Sequence, residues 1–112
     1  AQQSFGEYLQ RISETLQTHS PEHALRQCDG LIKKNPDMQA LRALKSLLLL
    51  YCGNTAAGVA LALTVVKEPL LENDSISLVE RVLSECNDHA AISKLYEQAF
   101  KQGIGSEDFA NN

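Results

Sequence analysis

Tryptophan is absent from this 112-residue chain, and aromatic residues make up only 5% of it. Leucine and alanine carry most of the apolar content, a balance that favours helices over strands. Cysteine is scarce and unpaired. Cys28, Cys52 and Cys86 form no C-x-x-C spacing, and an odd count argues against a complete disulfide framework. Each falls where a helix takes a small or near-buried residue, so they read as buried hydrophobes in a reducing compartment. Basic excess is missing too. Net charge is −4, with six Lys/Arg against five acids in residues 1–50 and four against nine in the remainder. Such a chain is a poor general binder of nucleic acid or anionic membrane. The leucine run at residues 47–50 is far too short to cross a bilayer. Residues 1–5 lack the basic start and apolar core of a signal peptide. The expectation is a soluble cytoplasmic protein with no direct nucleic-acid or membrane partner.

What is present is concentrated in residues 40–66, which read as two helices joined by a sharp turn at Gly53-Asn54. The first is apolar almost all round, leaving only Arg42, Lys45 and Ser46 for water. A helix with so narrow a polar stripe must be covered on several sides, so further helices have to pack before and after it. The second is rich in small residues around Gly58. A helix-interior glycine costs about 1 kcal/mol relative to alanine, which close approach of a neighbouring backbone would offset.

The flanking residues supply the neighbours. Ser4 with Glu7 three residues on is a capping box, and Phe5, Tyr8, Leu9, Ile12 and Leu16 follow at helical spacing. Ser20 as N-cap and Pro21 at the first helical position open a second helix, with Ala24, Leu25, Cys28, Leu31 and Ile32 on one stripe. Asn35-Pro36-Asp37 breaks it, and Asp37 is placed to cap the next. Pro69 ends the fourth helix and residues 70–74 form a connector. The fifth turns Ile76, Val79, Val82, Leu83 and Cys86 inward; the sixth, capped by Asp88, turns Ile92, Leu95, Tyr96, Ala99 and Phe100 inward. Gly103-Ile104-Gly105 closes it, and residues 106–109 resemble the start of a helix that this chain does not finish.

The caps Ser20, Asn54 and Asp88 are spaced by 34 residues each time. A helix–turn–helix unit of that period is the tetratricopeptide repeat. The units are 5–38, 39–72 and 73–106. Four residues past each cap stand Ala24, Gly58 and Ile92, where the pattern takes a small residue; two of three obey. Ile12, Ser46 and Glu80 occupy the first-helix glycine column, so the residue signature is degenerate while the period is kept. The fold expected is all-α, a right-handed solenoid of three antiparallel helix pairs forming one module of a longer array. A plain six-helix bundle is the alternative.

No catalytic constellation emerges. His19 and His23 are four apart but straddle Pro21, and no carboxylate or thiolate is spaced to complete a metal site; they read as surface histidines near a turn. No basic neighbour marks any cysteine as reactive, and no cofactor is expected. Repeat arrays bind along the concave surface of their first helices. Here that surface should include Leu9, Ser13, Ala43, Leu47, Tyr51, Ser77, Arg81 and Ser84, neutral to apolar with one arginine. It suits a hydrophobic helix or an extended peptide. The plainer reading of Leu47 and Tyr51 is packing against further repeats.

Several stretches carry a family resemblance. They are LIKKNPD at residues 31–37, ALKSL at 43–47 with Gly53 after it, NDS at 73–75, KLYEQAFK at 94–101 and Ser106-Glu107. Over roughly residues 22–109 the chain resembles the N-terminal repeats of the auxiliary, non-catalytic subunit of the N-terminal acetyltransferase B complex. It departs at Ala57-Gly58-Val59, where that family usually has charged residues. The resemblance implies a scaffold that supports a small catalytic acetyltransferase subunit, uses no cofactor of its own, and helps dock the complex at the ribosome. The partner chain would use acetyl-CoA to modify nascent chains beginning Met-Asp, Met-Glu, Met-Asn or Met-Gln. The alternative is an independent tetratricopeptide-type peptide-binding domain, a co-chaperone or adaptor.

Overall fold

The computed structural model describes residues 4–101. Among them are six helices and no strand: α1 (Phe5–Thr18), α2 (Pro21–Lys34), α3 (Gln39–Tyr51), α4 (Thr55–Val66), α5 (Asn73–Glu85) and α6 (His89–Lys101). The odd helices begin at residues 5, 39 and 73 and the even ones at 21, 55 and 89, so both members of the pair recur every 34 residues. The fold is an all-α helical-repeat solenoid. The glycines at 103 and 105 and the helix start expected at 106–109 lie outside the described residues.

The turns inside the second and third pairs share one geometry, while the first turns differently, with His19 at φ −127° and its amide on the Thr15 carbonyl. Gly53 and Asn87 both adopt left-handed backbone, with φ of 84° and 56°. At the end of α3 the Gly53 and Asn54 amides donate to the Leu50 and Leu49 carbonyls. At the end of α5 the Asn87 and Asp88 amides donate to Ser84 and Leu83 in the same pattern. These paired bonds satisfy carbonyls that a helix end otherwise orphans. Ser20 Oγ then accepts from the His23 amide and Asp88 Oδ1 from the Ala91 amide. Asn54 occupies the same position, but its side chain makes no capping bond.

Two hydrophobic cores meet at α3. One gathers Tyr8, Ile12, Ala24 and Cys28 with Leu41, Leu44 and Leu48; the other gathers Ala43 and Leu47 with side chains of α4, α5 and α6. Opposite faces of one helix are thus buried in different cores, which is why its sequence is apolar almost all round. Ser46 corrects the expectation of a solvent-facing residue. It is fully buried, and its hydroxyl donates to the Ala43 carbonyl, so the polar atom is satisfied within its own helix. Phe100 departs the other way and is 61% exposed, while Cys52 and Cys86 are half-buried where α3 and α5 end.

The buried Ser46 marks the crossing of α3 and α4. A Cβ added at Gly58 would lie 2.7 Å from the Ser46 carbonyl oxygen and 2.5 Å from Leu50 Cδ1. The leucine can swing aside; the backbone oxygen cannot. Gly58→Ala should therefore destabilise the protein by a net of up to ~2 kcal/mol. Overpacking of about 1–3 kcal/mol outweighs the roughly 1 kcal/mol that helix propensity returns. Urea unfolding followed by circular dichroism would test this, and a stabilised variant would contradict the close crossing.

The N-terminus of α3 is closed by a route the local sequence did not indicate. Asp37 does not cap it; Met38 is the N-cap residue and makes no side-chain capping bond. Instead Glu72, just before α5, sends its carboxylate back to the Ala40 amide at 3.2 Å. The connector is shorter than residues 70–74, because α5 already begins at Asn73. Gln39, only 4% exposed, bonds this connector. Its Nε2 donates to Glu68 Oε1 at 3.1 Å and to the Leu70 carbonyl at 2.8 Å, while its Oε1 accepts from the Glu72 amide at 2.9 Å. Arg42 pairs with the same Glu68, and Gln98 of α6 reaches the Glu68 and Pro69 carbonyls.

Candidate functional site

The first helices of the three pairs, α1, α3 and α5, carry all eight candidate surface residues. The structure divides them. Ala43 is fully buried and Leu47 is 5% exposed, and both belong to the core shared with α4–α6. Leu9 is half-buried against the other core, and Ser13 is half-buried. Tyr51, Ser77, Arg81 and Ser84 are exposed. The accessible set is therefore one aromatic ring, two hydroxyls and one guanidinium on α3 and α5, with Leu9 and Ser13 on α1.

Arg81 is lightly held. Its Nε lies 3.9 Å from Glu85 Oε1 on the same helix, an exposed pair of a kind that contributes only about 0.3–0.5 kcal/mol. A partner's carboxylate or carbonyl can compete for it. Ser77 Oγ donates weakly to the Asn73 carbonyl at 3.4 Å. The exposed groups of this face offer hydrogen bonds, one charge and apolar contact.

Residues that set the geometry of this face were not visible as such in the sequence. Gln39, Glu68 and Glu72 fix where α5 starts relative to α3, and hence how Ser77, Arg81 and Ser84 stand relative to Tyr51. Lys45 and Asp29 add a 2.8 Å ion pair between α3 and α2. The partners of Gln39 lie 29–33 residues ahead of it, beyond any local motif.

The cysteines are structural at one position and partly accessible at two. Burial, reinforced by the neighbouring Asp29 carboxylate and partly offset by Lys45, pushes the Cys28 thiol up from 9.0 to about 12. Its Sγ donates to the Leu41 carbonyl at 3.3 Å. Burial and the Glu22 charge also raise Cys52. Under native conditions Ellman's reagent should label Cys52 and Cys86 before Cys28. The unfolded chain ionises residue 28 first, so this group's stabilising contribution is complete below pH 9 and is lost as pH rises toward 12. Cys28→Ala should escape that part of the alkaline loss in urea melts at increasing pH.

No helix among the described residues is long and apolar enough to cross a membrane. Comparison with known proteins places this architecture. The family described as Psidin, N-terminal TPR repeats region, matches residues 8–112. The chain is 26% identical over 104 residues to the phagocyte signaling-impaired protein of Drosophila pseudoobscura pseudoobscura, covering 93% of this chain and 11% of that protein. It is 27% identical over 101 residues to the human N-alpha-acetyltransferase 25, NatB auxiliary subunit, covering 90% of this chain and 10% of that protein; the mouse protein of the same name matches equally. The chain thus spans about a tenth of the length of the curated relatives it matches. No solved structure matches. With its helix pairs recurring every 34 residues and a family match across nearly its whole length, the chain belongs to the Psidin N-terminal TPR repeat family.

Proposed function

We propose that this chain is a non-catalytic scaffold module: the N-terminal repeats, residues 1–112, of an auxiliary subunit of an N-terminal acetyltransferase complex. The family match over residues 8–112 carries the reading, with relatives named as the NatB auxiliary subunit in support. In this role the module works in the cytoplasm, holds a separate catalytic subunit through its solenoid surface, and contributes to ribosome association. Leu9, Ser13, Tyr51, Ser77, Arg81 and Ser84 are the accessible part of the proposed contact face. Ala43 and Leu47 act beneath it by packing.

The third repeat supports continuation into a longer array. Ile32, Val66 and Phe100 occupy one column at 34-residue steps. Ile32 is half-buried and Val66 buried, where the following helix pair packs; Phe100 is 61% exposed. A further pair stacked on α5 and α6 would cover it in the same way. The test is affinity purification of the full-length protein from its own cells. The expected result is recovery of a small acetyltransferase subunit and N-terminal acetyltransferase activity toward Met-Asp and Met-Glu peptides in the eluate. Reproducible absence of both would end the reading.

The exposed Tyr51 and Arg81 favour a second reading, an independent peptide-binding repeat domain. That reading requires the 112-residue chain to bind an extended peptide on its own, with binding abolished by Tyr51→Ala or Arg81→Ala.

A further inference from the structure

His19 is the C-cap of α1 and His23 lies in the first turn of α2, and the turn between them brings the two exposed rings together. Their centroids are 5.3 Å apart with planes inclined at 45°. Pro21, which separates them in sequence, helps the approach: it starts α2 immediately and folds the chain back beside the end of α1. Two imidazoles bound at ~2.0 Å to one tetrahedral metal ion place their ring centroids roughly 5 Å apart. The observed separation meets that requirement.

Hydrogen bonding prepares one ring for it. Thr18 Oγ1 donates its hydrogen to the Glu14 carbonyl at 2.8 Å. The same oxygen lies 2.8 Å from His19 Nδ1 and therefore accepts from it. That bond leaves the lone pair of neutral His19 on Nε2. Ser20 Oγ, which accepts from the His23 amide, lies 2.9 Å from His23 Nδ1 and holds the second ring at that nitrogen. An outer hydroxyl that fixes a histidine's remote nitrogen is how metal-binding imidazoles are oriented.

We propose that His19 and His23 together bind one divalent transition-metal ion through their Nε2 atoms. No group of three His, Cys, Asp or Glu side chains is placed to hold a metal among the described residues, so water completes the coordination. The result is an open, exchangeable site and not a buried structural one. Imidazole donors select zinc, copper or nickel and reject magnesium and calcium. The ion ties the C-cap residue of α1 to the first turn of α2, so its binding favours the folded state by mass action.

The test titrates the whole chain, kept reduced, with zinc chloride alone and records the heat of binding and the thermal midpoint. One ion should bind per chain, and the midpoint should rise with zinc concentration and not with magnesium. His19→Ala and His23→Ala, both exposed positions that leave the helices intact by circular dichroism, should each weaken binding about tenfold or more. Thr18→Val should weaken it less, by freeing the His19 ring. A midpoint indifferent to zinc would overturn the proposal. So would a zinc response that persists undiminished in the doubly substituted His19→Ala/His23→Ala chain.

Discussion

Replacing Leu48 with alanine should lower the unfolding free energy by about 2–5 kcal/mol. Leu48 is fully buried on the face of α3 that joins Tyr8, Ile12, Ala24 and Cys28. Removing it deletes apolar contact from α1, α2 and α3 at once, and a core held between helix backbones cannot collapse fully into the gap. The loss should also be local in character. Repeat stacks are stabilised by nearest-neighbour interfaces, so amides of α1 and α2 should lose hydrogen-exchange protection most, and those of α5 and α6 least. Native-state exchange on Leu48→Ala measures that gradient. Uniform loss across all six helices would mean that the two cores open as one.

Gln39→Leu should cost about 2–3 kcal/mol although it keeps nearly the same volume. The change leaves the Leu70 carbonyl and the Glu72 amide without their partner while an apolar side chain keeps water from that spot. Each stranded group costs about 1–3 kcal/mol, discounted here because the connector lies at the surface. Glu68 loses one of its two donors and keeps Arg42. Gln39→Ala, which opens room for water, should be the milder change even though it removes more atoms. Chemical denaturation of the two variants side by side decides the matter; a leucine variant more stable than the alanine one would refute the bonding role.

The contrast between these residues shows what could be read without coordinates. Leu48 was legible because helix periodicity and caps are local signals. Ser20, Pro21, Gly53 and Asp88 each declare a boundary within a few residues, and their 34-residue interval declares the stack. Gly58 was legible too, since an unfavourable helix residue implies a close neighbour. Gln39, Glu72 and Ser46 were not. A polar residue on a helix reads by default as solvent-facing, and Asp37 stands where a cap normally stands. Only the fold reveals that the α3 N-terminus takes its carboxylate from across the repeat. Phe100 misled in the opposite sense: its spacing is that of a core residue, and the described helices do not cover it. At the candidate face, sequence position selected residues on α1, α3 and α5, but which of them reach the surface depended on the second core beneath α3.

The Glu72 carboxylate on the Ala40 amide has a consequence for how the chain comes into being. The third helix can coil and find α2 as soon as its own residues emerge during synthesis, yet its leading edge stays open until Glu72, thirty-two residues beyond Ala40, has followed. Until then the half-made protein carries a loose end in its middle, and a pause or cut anywhere before residue 72 leaves it that way.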